Sequence, residues 1–375
     1  MRQVVATYDL SGRTSLACDP SDATVAVLLA SRMDPFVAAT AQTGAPGVVL
    51  EPAPPPARPF AELQNPARDG ITTASDGERF FVLADGRACT VPDLLAGTPL
   101  AFAYEPGFPV GRIFTRVVWP ALHLSLHARD AVAVHSATAD MDGRAVLVAG
   151  WSESGKTETA LALMEAGGRF LSDKWTVLGT DGEASAFPSD VGVRRWVLPY
   201  LPRLQAALPA TARARLGLAG AAAAISRPLR AGPRTRRVGG LADRAVARAE
   251  RAGLTPSQLH AVYGGGEDPG RRLPLGATAV LTTVPGREVT CEPADPAWAA
   301  ARLARSAAYE RRELFALADR RRYAFPDAEA SPLERAVASE TRLLERALAA
   351  GSTFELRAPF PVDPRKPAAA LARCL

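Results

Sequence analysis

Gly150-Trp-Ser-Glu-Ser-Gly-Lys-Thr157 fits the pattern G-x-x-x-x-G-K-[ST], and its flanks give the match physical content. Arg144-Ala-Val-Leu-Val-Ala149 ahead of it is a short apolar run of the kind that forms a buried strand. Thr157-Glu-Thr-Ala-Leu-Ala-Leu-Met-Glu-Ala166 behind it is rich in helix formers and is stopped by Gly167-Gly168. Strand, glycine loop and helix N-terminus, in that order, make an anion cradle. The two glycines let the backbone curl until consecutive N–H groups point inward. The helix end adds partial positive charge, Lys156 can reach the β/γ-phosphates of a nucleotide, and the Thr157 hydroxyl can bind Mg²⁺. The expected ligands are therefore a nucleotide and Mg²⁺, with Gly150, Ser152, Ser154, Gly155, Lys156, Thr157 and Glu158 as the nucleotide contacts.

The bulk numbers exclude several classes. The chain has 375 residues, 47% hydrophobic and 22% charged, which suits a globular protein of two or three domains. No apolar run approaches the roughly 20 residues that cross a bilayer. The N-terminus, Met1-Arg-Gln-Val-Val-Ala-Thr-Tyr-Asp9, has neither an apolar h-region nor a small-residue cleavage site, so a cytoplasmic location without a membrane partner is expected. Cys18, Cys89, Cys291 and Cys374 are far apart and form no C-x-x-C pair, which reads as free thiols rather than zinc ligands. The net charge of +5 points at first to an acidic partner. Yet all but three of the 44 basic residues are arginines, and Ala, Gly and Pro are also heavily used. That is compositional drift, so no nucleic-acid partner is expected. Of the three lysines, Lys156 and Lys174 lie in or near the loop motif, and Lys366 does not.

Outside the loop the pattern is mixed. Thr24–Leu29 is a strand candidate, and the proline-rich stretch from Pro46 to Pro59 reads as a loop or stiff linker. Arg79–Leu83 and Arg87–Val91 around Asp85-Gly86 predict a β-hairpin. Ile113–His127 is long enough for a helix, with a break near Pro120. Ala131–Val134 predicts a strand ending at His135, and Ala277–Thr283 and Thr353–Arg357 predict two more. Asp295-Pro296 opens one helix, and the capping box Ser331-Pro-Leu-Glu334 opens another with Leu333, Val337, Leu343, Leu344 and Leu348 as its apolar stripe. The segment from about 203 to 272 carries Ala221–Ala224 and many arginines, and reads as a helical insertion or lid with a solvated Arg-rich face. No internal repeat is present.

Two residues near the loop bear on chemistry. Arg169-Phe-Leu-Ser172 predicts a strand that delivers Asp173 at its end. A carboxylate there can hold Mg²⁺, directly or through water, or accept the proton of an attacking hydroxyl. His135, one of four histidines, ends the strand before the loop strand, where it can contact a phosphoryl group or shuttle a proton. Arg194 and Arg195, soon after the core, read first as surface arginines and second as partners for phosphoryl oxygens.

At these residues the chain resembles the HPr kinase/phosphorylase family. Gly155-Lys-Thr-Glu-Thr-Ala-Leu-Ala-Leu163 is similar, almost residue for residue, to that family's Gly-Lys-Ser-Glu-Thr-Ala-Leu-Glu-Leu. His135 and Asp173 fall at the family's histidine and first aspartate. The resemblance covers roughly residues 131 to 178. It implies an α/β fold: a P-loop core of the HPr kinase/phosphoenolpyruvate carboxykinase type with a mixed sheet. It also implies ATP-dependent phosphorylation of a hydroxyl, a serine on a protein or peptide or a group on a small metabolite. Catalysis would rest on Asp173, His135 and Lys156, and the metal on Thr157 and Asp173. The usual glycine after the histidine is Ser136, and the second aspartate of the family's pair is Lys174. That exchange removes a metal ligand or a general base, leaving three outcomes: Asp173 does both jobs, Glu158 or Asp190 acts as base, or nucleotide binds with weak or no transfer. The expected organisation is a separate N-terminal α+β region over 1–125 and the nucleotide-binding domain over 126–375, with the Arg/Ala-rich insertion inside it.

Overall fold

The computed structural model describes residues 6–39, 45–65, 71–94, 99–214, 216, 250–265, 268–326 and 332–375. The chain is mixed α/β with several sheets. An eight-stranded mixed sheet fills the N-terminal third, in the order Ala6–Leu10, Thr14–Cys18, Val48–Pro52, Leu100–Tyr104, Arg87–Thr90, Phe80–Ala84, Thr72–Ser75, Glu62–Gln64. Its third strand is parallel to both neighbours and the other pairings are antiparallel. The hairpin expected at Asp85-Gly86 forms, with Asp85 and Gly86 both at positive φ as a two-residue turn requires.

A nine-stranded sheet carries the loop motif. Arg144–Gly150 pairs antiparallel with Ser136–Met141 and parallel with Arg272–Thr283. That long strand also runs parallel to Ser352–Ala358 and, at its start, antiparallel to Glu183–Ala186. Thr176–Gly179 and Ala131–Val134 complete the path on one side, and Arg169–Ser172 flanks Ser136–Met141 on the other. Arg144–Gly150 is buried from its second residue onward, as a strand covered on both faces must be. The helix Lys156–Glu165 covers one face and Pro296–Glu310 packs near the other, through separate apolar clusters. The larger cluster is continuous from Tyr8 of the N-terminal sheet to Leu348, so the N-terminal and C-terminal parts share one apolar interior. Among the described residues, no helix is long and apolar enough to cross a membrane.

Several expectations are corrected. Thr24–Leu29 lies in a helix, Ala23–Arg32, because the Asp22 carboxylate caps it by accepting from Thr24 N and Val25 N, which outweighs β-branched propensity. The Pro46–Pro59 stretch contains the strand Val48–Pro52: its apolar Val48-Val-Leu50 fits between two parallel neighbours, and Pro52 ends it. The break near Pro120 takes the form of a π-helical turn, Phe114–Val118, feeding a helix with Pro120 in its first turn, where a missing N–H costs nothing. In the 203–272 stretch, Pro202–Ala207 and Pro256–Tyr263 are helical, but Arg251–Leu254 is a strand paired with Val191–Arg194. Ala221–Ala224 and the arginines between 217 and 249 lie outside the described residues, as does Ser331 of the expected capping box. The helix Pro332–Leu348 is present, with Val337, Leu343, Leu344 and Leu348 buried.

Candidate functional site

The loop between Gly150 and the helix Lys156–Glu165 opens onto a cavity of about 450 Å³. Sterics demand both glycines. Gly150 has φ 145° and a Cβ there would meet the backbone oxygen of Leu281 at 2.5 Å; Gly155 has φ 102° and a Cβ would meet Phe360 at 2.9 Å. Inside this bend Lys156 folds back, its Nζ donating to the Trp151 carbonyl at 2.6 Å, and Ser154 Oγ donates to the same oxygen at 2.9 Å. The ammonium is buried, which pulls its pKa down to about 8 against the opposing pull of Asp173, Glu310 and Glu158.

Arg169–Ser172 delivers Asp173 to the head of the loop helix, where Asp173 Oδ1 accepts from Thr157 Oγ1 at 2.9 Å and from the Lys174 N–H at 2.5 Å. Burial pushes the Asp173 carboxyl up to about 7, further raised by the Glu158 charge, while the two hydrogen bonds and Lys156 hold it lower than burial alone would. Lys174 has φ 66°, a left-handed backbone, and its exposed side chain lines the cavity.

His135 is the single residue between Ala131–Val134 and Ser136–Met141, where the chain crosses from one edge of the large sheet to a strand beside the loop strand. Its Nδ1 lies 3.3 Å from Ser306 Oγ and 4.0 Å from Glu310 Oε1. Ser306 spends its one proton on the Gly150 carbonyl at 2.9 Å, so it receives the Nδ1 proton of His135, leaving Nε2 as an acceptor. Burial, followed by the charges of Lys156, Lys174 and Arg311, drives the His135 pKa down to about 2, so the ring is neutral.

The structure brings His135, Ser152, Ser154, Gly155, Lys156, Thr157, Glu158, Asp173 and Asp190 to one cavity. Gly150 is not a lining residue and contributes the turn. Asp190 is ion-paired with Arg32 of the N-terminal part at 3.5 Å. Of the two arginines considered, Arg194 lines the cavity, whereas Arg195 turns away to Glu250 at 3.8 Å. Glu310, Arg251 and the supporting Ser306 are additions that sequence reasoning missed. Ser306 and Glu310 are four apart on one helix and so share a face, but nothing local says that this face meets the loop. Among the described residues there is no group of three or more His, Cys, Asp or Glu able to hold a metal. Thr157 and Asp173, hydrogen-bonded to each other, could hold Mg²⁺ only with phosphate oxygens and water completing its shell.

The chain matches no model of a known protein family, and no curated protein matches it either.

Proposed function

We propose that the protein is an ATP-dependent kinase with a P-loop core of the HPr kinase/phosphoenolpyruvate carboxykinase type, moving the γ-phosphoryl group to a hydroxyl. The observation that carries this reading is the convergence of Lys156, Thr157 and Asp173 on one cavity beside a loop whose two glycines tolerate no side chain. In this reading the loop N–H groups and Lys156 take the phosphates, and Lys156 exchanges the Trp151 carbonyl for them. Mg²⁺, held by Thr157 and Asp173, neutralises charge on the phosphate oxygens when bound. Asp173, buried at the head of the loop helix beside Thr157, accepts the proton of the acceptor hydroxyl. Neutral His135 leaves Nε2 as a hydrogen-bond acceptor at the cavity, able to take a second N–H or O–H of the acceptor molecule and so orient it. Lys174 compensates charge on the phosphoryl group in flight. The acceptor is a serine on a protein or peptide, or a small metabolite.

One observation favours a second reading, an ATP-binding regulator without turnover: a lysine, Lys174, lines the cavity where the resembling family carries a second aspartate. Purified protein with γ-labelled ATP, Mg²⁺ and size-fractionated lysate of its own host separates the two. Label on any acceptor with the wild type and none with Lys156→Ala supports the kinase, and the size class tells a macromolecular acceptor from a small one. ATP binding that is lost in Lys156→Ala, without any label transfer, supports the regulator.

A further inference from the structure

Val191–Arg194 and Arg251–Leu254 form a two-stranded antiparallel sheet over the loop, and its last register pair sets Arg194 directly opposite Arg251. Like charges facing each other across a strand pair are unfavourable unless something anionic lies between them. Here that anion is Glu153, in the middle of the glycine loop. Arg194 Nη2 and Arg251 Nη2 each donate to the same oxygen, Glu153 Oε1, at 3.1 Å. Glu153 holds a left-handed backbone, φ 60°, costly for a non-glycine residue, and its carboxylate is 67% exposed. Arg194 also lies 3.8 Å from Glu158 and covers the Phe360 ring at 5.5 Å, the same ring that packs on Gly155. Glu153, Arg194 and Arg251 all line the cavity that holds Lys156, Thr157 and Asp173.

The geometry points to an arginine clamp for the terminal phosphoryl group of the nucleotide, with Glu153 as its built-in placeholder. Resting on the nucleotide reading above, the inference adds what holds that end of the ligand and what competes for it. Two guanidinium groups converging on one oxygen match the oxygens of a phosphoryl group, which carries more charge than a carboxylate. The Glu153 ion pairs are solvent-exposed and therefore weak, so a bound triphosphate displaces them. Glu153 leaves, Arg194 and Arg251 keep their register, and the seat changes occupant. A nucleoside diphosphate, one phosphoryl group short, leaves Glu153 in place.

The test is equilibrium binding of Mg-ATP and Mg-ADP to the full chain and to Lys156→Ala, Glu153→Gln, Arg251→Ala and Arg251→Lys, each checked for unaltered thermal unfolding. Removing the competing charge in Glu153→Gln should tighten ATP about 3- to 10-fold and leave ADP within about twofold. Arg251→Ala should weaken ATP about 10- to 100-fold, again with ADP little changed, and Arg251→Lys should recover part of the loss because a point charge replaces a fork. If ATP binds and needs Lys156, but the ATP/ADP ratio is unchanged in Glu153→Gln and Arg251→Ala, the clamp is wrong and the nucleotide reading stands. If neither nucleotide binds the wild type, both fall together.

Discussion

Asp173→Asn should make the protein more stable at pH 8 while removing the proposed phosphoryl transfer. Asp173 is 5% exposed, and burial lifts its carboxyl from 3.8 to about 7. Between those values the unfolded chain gives up the proton while the folded one keeps it, so the wild type loses stability as pH rises through the window and levels off above it. The full displacement corresponds to about 4 kcal/mol. Asparagine keeps an oxygen to accept from Thr157 and from the Lys174 N–H, so the local hydrogen bonds survive. That displacement already includes the attraction of buried Lys156, which holds the carboxyl below where burial alone would put it. The expected net is about 2–4 kcal/mol of added stability at pH 8, and near zero at pH 4. Denaturant unfolding of both proteins from pH 4 to pH 8 measures it. A variant no more stable than the wild type at pH 8, or one whose pH curve runs parallel to it, would refute the reasoning. Added Mg-ATP should stabilise the wild type and not the variant, closing the gap from the other side.

Three further outcomes follow from the same geometry. Lys156→Ala should abolish both nucleotide-induced stabilisation and label transfer, read by thermal shift and by the γ-label assay. Gly150→Ala should cost about 2–4 kcal/mol, because the added carbon meets the Leu281 backbone oxygen and not a movable side chain; Gly143→Ala, with open space around it, should cost only about 1–2 kcal/mol for its left-handed backbone. In His135→Gln the rate should fall, yet the acidic limb of the pH profile should keep its midpoint, because burial and the charges of Lys156, Lys174 and Arg311 keep the ring neutral throughout the assay range. A midpoint that moves with His135 would assign the limb to the histidine.

What could be read in advance was local. The apolar run before Gly150, the helix formers after Lys156 and the glycine pair that stops them are adjacent, and each acts within a few residues of itself. Asp295-Pro296 and Asp85-Gly86 carry their own capping and turn chemistry and were legible for the same reason. Thr24–Leu29 was misread because its β-branched residues suggested a strand while the deciding atom, the Asp22 carboxylate, lay just outside the run. Val48–Pro52 hid between prolines because a strand flanked by two parallel partners draws its stability from remote segments, Thr14–Cys18 and Leu100–Tyr104. In the site, Asp173 and His135 follow from strand ends close in sequence to the loop. Glu310, Ser306 and Arg251 reach it only through the order of strands, which no spacing encodes.

The strand Arg272–Thr283 has a consequence for how the chain is made. It is inserted between Arg144–Gly150 and Glu183–Ala186, which are synthesised well before it. From the time Ala186 leaves the ribosome until Thr283 follows, about 5–19 seconds at roughly 5–20 residues per second, both of those strands lack the partner that fills the edge between them. A nascent chain stalled in that interval holds the complete glycine loop sequence with only the Ser136–Met141 side of the sheet to brace it. Nucleotide binding by a ribosome-bound chain should therefore begin abruptly once the stretch after residue 283 has cleared the exit tunnel.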